Sequence, residues 1–487
     1  MSDIKLFKPL YPLTGNGYFY GRVGSGKSYK LKAIVEYYYE KGFKIWDMFG
    51  GKRGEGPFWV FPSDELKLWK EYEKEVGLMK HFGPKEYDVM LVYPYFKDEL
   101  PDQLPQKKPK ISSQLMTIYF KDVTIKDISF VIGQVSPNAK YVWNYIVKTL
   151  PDNATGADIL NLYNKKLKRY RDLNLFKNFI EPLVYHQILV GKNYKYNLNF
   201  KEIAKNKKEI FVLCDDYIPN EFKFFIMGYI LRKLFYDYIM KDKVHKHNIA
   251  MFREMSLFMK VVDSSNQDDV RVQNFRNFIS DIARYARSGL YIFGDTQSPA
   301  ETRGLIEGQD DLLCISEMPS AKDREIVCEQ LRKDRRISSR QIAYISTMQP
   351  CEMVIIERGK KAIKIKKVQP PKTKCWKQDD GNFLTIWKRI HNEFIDIRKD
   401  KNELEDLYAE TNFVIENEYE VAGEKNNDIS NTEKEIMEEE KEILGNNNKK
   451  NINNTKTKVI KSKKEIELER SRQLVEKYSK LNTEELL

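Results

Sequence analysis

The sequence predicts an α/β protein, a doubly wound and mainly parallel sheet with a phosphate-binding turn near its amino end. Three observations predict it. Between residues 15 and 365, short apolar runs alternate with amphipathic helical stretches, the rhythm of strand–helix–strand units whose strands are covered on both faces. The first apolar run leads directly into Gly21-Arg22-Val23-Gly24-Ser25-Gly26-Lys27-Ser28, which fits G-x-x-x-x-G-K-[ST]. Beyond residue 398 the composition shifts to Asn, Lys and Glu with few core-forming residues.

The glycine motif has the flanks its chemistry requires. Tyr18-Phe19-Tyr20 reads as the end of a buried strand, and Leu31, Ile34, Val35 and Tyr38 fall three and four apart, as on one helix face. Glycines let the backbone wrap an anion with its N–H groups, and the helix start adds its dipole. Gly21, Gly24, Ser25, Gly26, Lys27, Ser28 and Tyr29 are therefore the candidate ATP contacts. In this chemistry Lys27 reaches the β- and γ-phosphates and the Ser28 hydroxyl ligates Mg2+.

Further along, Lys44-Ile45-Trp46-Asp47 reads as a second strand running into a glycine-rich charged loop, 50–56, either a ligand-edge loop or an ordinary turn. Asp88 to Tyr95 reads as another strand. Pro101, Pro105 and Pro109, with Lys107, Lys108 and Lys110, read as an exposed linker. Residues 138–189 form a helical insertion between the first part of the core, 1–137, and its second part, 190–397. The insertion carries Lys165, Lys166, Lys168, Arg169 and Arg171 interleaved with Tyr163 and Tyr170. Basic groups beside aromatics suit DNA phosphate contacts and base stacking, and a solvated helix face is the plainer alternative.

The core resumes with the strand Ile210 to Cys214, a helix from Pro219, the strand Ile249 to Phe252 and a helix from Phe275 to Ala286. Strands at Leu290–Phe293 and Leu312–Ile315, with a pair at 342–345 and 353–356, complete the sheet. The tail, 398–487, is expected to be mostly disordered with helical patches. Its last segment, with Leu468, Leu474, Val475, Tyr478 and Leu481 at amphipathic spacing, is a candidate protein-partner helix.

Composition narrows the partners. The net charge of +12 over 487 residues suits a polyanion, nucleic acid before membrane, and a Lys-rich compositional habit accounts for it equally well. Five cysteines without a C-x-x-C pair fit a reducing compartment and no disulfide framework. The most apolar long segment, 221–240, carries Lys223, Arg232, Lys233 and Asp237, too many charges for a bilayer. With no signal-peptide pattern at the amino end, a soluble cytoplasmic protein without a membrane span is expected.

A P-loop hydrolase also needs a second metal anchor, a group that orients water and a γ-phosphate sensor, each at the carboxyl end of a strand near the P-loop strand. Glu254, ending one such strand, can polarise the attacking water. Gln297, ending the next, can hydrogen-bond the γ-phosphate. Together with Gly21 to Ser28, the runs Ile249-Ala250-Met251-Phe252-Arg253-Glu254 and Arg284 to Pro299 carry a likeness. On these residues the chain resembles the FtsK–HerA group of P-loop ATPases, which includes DNA-pumping motors, viral genome-packaging ATPases and conjugative coupling proteins. The likeness spans about residues 15–365, leaving out the tail. It implies a RecA-like P-loop NTPase core, Lys27, Glu254 and Gln297 as catalytic residues, and a homo-oligomeric, hexameric ring. In such a ring a basic residue completes the neighbour's site, and Arg284 or Arg287 are the candidates beside the plainer reading of surface charge.

The chain departs from the group at Arg253, where an Asp is usual. Either Ser28 holds the metal alone, or Asp215 or Asp216 substitutes; Arg253 could instead contact the nucleotide. The P-loop begins too early for the amino-terminal barrel of HerA-like helicases, and the chain shows no membrane helices of the tethered coupling proteins. The expectation is an ATP-driven translocase of double-stranded DNA, acting in genome packaging or plasmid transfer. Two alternatives stand beside it: a nucleotide-switched binding protein with little hydrolysis, and an assembly or secretion ATPase acting on protein.

Overall fold

The computed structural model describes residues 15–409 apart from 50–55, 77–82, 168–173, 242–246, 260–266, 286–288, 298–309, 334, 350–351, 366–368 and 376–381. Ten strands form one sheet: β1 (Asn16–Tyr20), β2 (Lys44–Phe49), β3 (Val89–Pro94), β4 (Ile111–Met116), β5 (Ile210–Leu213), β6 (Asn248–Phe252), β7 (Leu290–Thr296), β8 (Asp310–Ile315), β9 (Met353–Glu357) and β10 (Ile363–Ile365). Their order across the sheet is β10-β9-β8-β1-β7-β6-β2-β5-β3-β4. From β8 to β4 the neighbours pair parallel, while β9 and β10 close one edge antiparallel.

Strand periodicity assigns the two faces. Phe19, Ile45, Met251 and Phe293 point to one side, where they pack with Leu31, Ile34, Val35 and Tyr38 of helix α1 (Lys27–Glu40). Tyr18, Tyr20, Trp46, Ala250 and Ile292 point to the other, against a helical layer. That layer includes Ile125–Ile132, Pro137–Thr149, Asn174–Tyr185, Lys223–Arg232 and Gln267–Arg284. The helical run therefore starts ahead of residue 138, at a Thr124/Asp127 capping box. Phe130, Trp143 and Phe179 are buried in the same core as Trp46 and Tyr20.

Three elements differ from the sequence reading. The proline-rich stretch is no exposed linker. Gln103–Pro105 pairs with Phe394–Asp396, and Ile111–Met116 is the edge strand β4. Its sequence, ISSQLM, hides the strand because Ser112 and Gln114 are only partly covered on an edge. Residues 342–345 belong to the helix Ser339–Ile345, opened by a Ser338/Gln341 capping box, and not to the sheet. The chain also continues past 398 as a helix, 398–409, with Leu404 and Tyr408 buried and the Tyr408 hydroxyl donating to the Leu189 carbonyl at 2.5 Å. The charged segment beyond it lies outside the described residues.

Among the described residues no helix is long and apolar enough to cross a membrane.

Two helices of the second face approach closely at Gly228. Asp127, fully buried, accepts from the Arg232 Nε at 2.9 Å and fastens them together. A Cβ on Gly228 would lie 2.3 Å from the Phe130 ring, which is itself held by Phe275 and Phe278 at centroid distances of 5.6 and 5.4 Å. Gly228→Ala should therefore overpack this layer and lower stability by about 1–3 kcal/mol, read as a fall in the urea midpoint at unchanged slope.

Candidate active site

The P-loop leaves β1 at Tyr20 and returns into α1 through left-handed glycines, Gly24 at φ 75° and Gly26 at φ 77°. A side chain at either would strain that backbone. The Arg22 carbonyl closes the turn. It accepts from the Ser25 amide at 3.2 Å, the Ser25 hydroxyl at 2.8 Å and the Lys27 ammonium at 2.9 Å. Tyr29 lies half-buried in the first turn of α1.

From behind, the loop is pinned to the end of β8. Arg22 donates through Nε to Glu317 Oε2 at 2.8 Å, and its amide donates to the Glu317 carbonyl at 2.9 Å. Lys30 is fully buried, and its ammonium bridges the Ser25 carbonyl at 2.9 Å, the Ser316 hydroxyl at 2.8 Å and the Glu352 carbonyl at 2.7 Å. Three acceptors match the three protons of the ammonium, which is what lets that charge stay buried.

In front, the strand register assembles the rest. β1 pairs with β7 so that Phe19 lies opposite Asp295, and β7 pairs with β6 so that Gly294 lies opposite Phe252. All three strands end at one edge, where ligands of open α/β sheets bind. There the Ser28 hydroxyl donates to Asp295 Oδ2 at 2.5 Å, and the Glu254 amide donates to Asp295 Oδ1 at 2.6 Å. Gln297 Nε2 donates to Glu254 Oε1 at 3.4 Å. Glu254 has a left-handed backbone, φ 52°, a conformation that costs about 1–2 kcal/mol off glycine. The Met255 amide, bound to the Asp295 carbonyl at 2.7 Å, helps hold that turn.

Asp295 is the residue the sequence reading passed over. It is fully buried and sits in the quoted run two places before Gln297. A carboxylate ending a strand beside the P-loop strand was the available signal. Asp215 and Asp216, considered for this position, follow β5, separated from β1 by β7, β6 and β2. At about 4.8 Å per strand that is some 20 Å away. Asp215 instead pairs with Lys223 at 3.6 Å.

Arg253 is also corrected: it turns toward β2. Its Nη2 lies 3.3 Å from Asp47 Oδ2, which also accepts from Trp59 Nε1 at 2.7 Å. Burial pushes the Asp47 carboxyl up from its ordinary range and Arg253 opposes this. Nearby on α1, burial pushes Lys32 down and Glu36 up. Lys32 donates to the Lys374 carbonyl at 2.5 Å, and Glu36 accepts from the amides of Lys372 and Thr373 at 2.6 and 2.9 Å.

Other candidates lie elsewhere. Arg284 ends the helix before β7, at the edge opposite the P-loop, with its guanidinium exposed and 3.7 Å from Asp281. The seven residues of β7, about 23 Å long, separate it from its own chain's cleft. Lys165 is exposed on the π-helical turn Tyr163–Leu167 that also contains Lys166. Arg287, Lys168, Arg169 and Arg171 lie outside the described residues.

No family model and no curated protein matches the chain. Among solved structures it is similar to VirB4 of Thermoanaerobacter pseudethanolicus, at 11% identity and TM-score 0.44 over 73% of this chain and 90% of that one. It is similar to the bacterial conjugative coupling protein TrwB, at 11% identity and TM-score 0.39 over 74% and 88%. A third likeness is to the genome packaging NTPase B204 from Sulfolobus turreted icosahedral virus 2, at 13% identity and TM-score 0.22 over 34% and 68%. With identities this low, function rests on the residues of the cleft themselves.

The buried Arg253–Asp47 pair yields a test. Arg253→Met leaves an uncompensated carboxylate and should cost about 3–5 kcal/mol at neutral pH, with much of the loss recovered in Asp47→Asn/Arg253→Met. Without Arg253, burial holds the folded-state pKa of Asp47 further above its unfolded value. A raised acid binds its proton more readily when folded, so stability falls as pH rises between those two values. Thermal melts should accordingly show Arg253→Met closer to wild type at pH 5 than at pH 8.

Proposed function

We propose that the chain is an ATP-driven translocase of the FtsK–HerA type that moves double-stranded DNA. The observation that carries the reading is the convergence of Ser28 and Glu254 on the buried Asp295 carboxylate, with Gln297 bound to Glu254, at the shared edge of β1, β6 and β7. In this reading the amides of Gly24 to Ser28 and the start of α1 cradle the phosphates of ATP. Lys27 exchanges the Arg22 carbonyl for the β- and γ-phosphate oxygens. Glu254 orients and polarises the attacking water, and Gln297, within reach of the Glu254 carboxylate, reports whether the γ-phosphate is present.

The Ser28 hydroxyl stands beside the Asp295 carboxylate, and hard oxygen donors of this kind fit Mg2+. When bound, that ion would neutralise charge on the β- and γ-phosphate oxygens, with the Ser28 hydroxyl as its protein ligand. Glu254 enters the site already aimed, because its amide and the next one are both bound to Asp295.

The DNA reading draws on charge and the ring reading on an exposed arginine. The surplus of +12 favours a polyanionic track. In the ring reading, Arg284, exposed and at the far end of β7 from its own cleft, is the basic residue offered to a neighbouring subunit of a homo-oligomeric ring. Such a residue stabilises charge in the transition state of the adjoining site.

ATP turnover by the full chain, with and without duplex DNA, tests the reading. Lys27→Ala should abolish nucleotide binding and turnover together. Glu254→Gln should retain ATP while slowing hydrolysis by about 10²–10⁴-fold, the range for losing a positioned base. Duplex DNA should raise the wild-type rate. An unchanged rate would remove translocation and leave an ATPase, whereas tight binding without turnover would favour a nucleotide-operated switch.

A further inference from the structure

The group that this chain resembles places an Asp immediately before its catalytic Glu, and position 253 here is Arg. The guanidinium is engaged by Asp47 of β2 and its charge is balanced there. A P-loop site still needs a carboxylate on the far side of its serine hydroxyl, because that hydroxyl alone gives a metal ion one neutral oxygen. The edge of the sheet supplies one from a different strand.

We propose that the metal-side carboxylate of this site is Asp295, borne by β7 together with Gln297, and not by β6, which leads into Glu254. Four observations carry the assignment. Asp295 Oδ2 accepts the hydroxyl proton of Ser28 at 2.5 Å, the contact by which a second carboxylate orients a metal-ligating serine. Asp295 faces the α1 side of the sheet, in phase with Tyr291 and Phe293 of the same strand, which pack in the core on that side. It is fully buried, so its charge requires partners inside the protein. Finally, Oδ1 holds the Glu254 amide at 2.6 Å, linking the metal side of the cleft to its water side through one residue. The proposal rests on the nucleotide reading above. It adds that the acid lost at 253 has been replaced from the neighbouring strand, with Arg253 turned to Asp47.

Asp295→Asn is the informative variant, because an amide keeps an acceptor for the Glu254 N–H and still reaches the Ser28 oxygen, now as donor, while removing the charge. A fluorescent ATP analogue is titrated into the full chain with and without Mg2+, with circular dichroism checking the fold. In the wild type, Mg2+ should tighten binding. In Asp295→Asn that increment should shrink by about 10–100-fold, the usual cost of losing a carboxylate behind a metal ligand. Metal-free affinity should hold or rise, since a negative charge near the phosphates is gone. Ser28→Ala should lose the same increment, Ser28→Ala/Asp295→Asn no more than either alone, and Asp215→Asn none.

A folded Asp295→Asn that keeps the full Mg2+ increment overturns the assignment. So does a loss of metal-free binding equal to the loss with metal, which would make Asp295 a support of the loop only. A wild-type chain that binds no analogue under either condition overturns the nucleotide reading itself, and that outcome is distinguishable from the other two.

Discussion

One buried carboxylate joins the two halves of the cleft. Asp295 takes a hydroxyl proton from the first turn of α1 with one oxygen and the backbone of Glu254 with the other. Both contacts are short and charge-assisted, the kind that fix geometry most firmly. They exist only because β1, β7 and β6 are parallel neighbours ending in step. Glu254, held in a left-handed turn, would relax toward ordinary backbone without that anchor.

Around this anchor the molecule buries charge in matched sets. Lys30 ties the loop to β8, Arg253 and Asp47 join β6 to β2, and Lys32 and Glu36 bind α1 to residues 372–374. Each ion costs desolvation energy, and each is met by hydrogen bonds that offset part of it. Replacing such pairs by apolar residues could raise stability, but the directional contacts set the angle at which α1 presents its amino end. The helix that carries Lys27 and Ser28 is thus held at both its start and its inner face.

Much of this was legible in the sequence. The strands carrying the site are continuous apolar runs, the glycine motif is local, and Glu254 and Gln297 each terminate such a run. What escaped was lateral. Which strand ends beside which depends on sheet order, and sheet order comes from packing between residues more than two hundred positions apart. For that reason Asp215 and Asp216 were the acids considered for the metal side, and Asp295 was passed over. Edge strand β4 escaped because its polar Ser112 and Gln114 are partly exposed and break the apolar run, and the helix Ser339–Ile345 because its apolar residues also fit a strand. The Ser338–Gln341 capping box that opens it was a signal the sequence reading did not use.

The helix 398–409 carries a practical lesson for anyone preparing this protein. Composition invites a cut at 398, where Lys, Asn and Glu begin to dominate. Yet Leu404 is fully buried, Tyr408 bonds the Leu189 carbonyl, and Lys401 reaches the Leu100 carbonyl at 2.8 Å. A shortened expression clone ending there would strip an apolar strip from the globule and invite aggregation. Ending the clone after residue 409 keeps that seam closed.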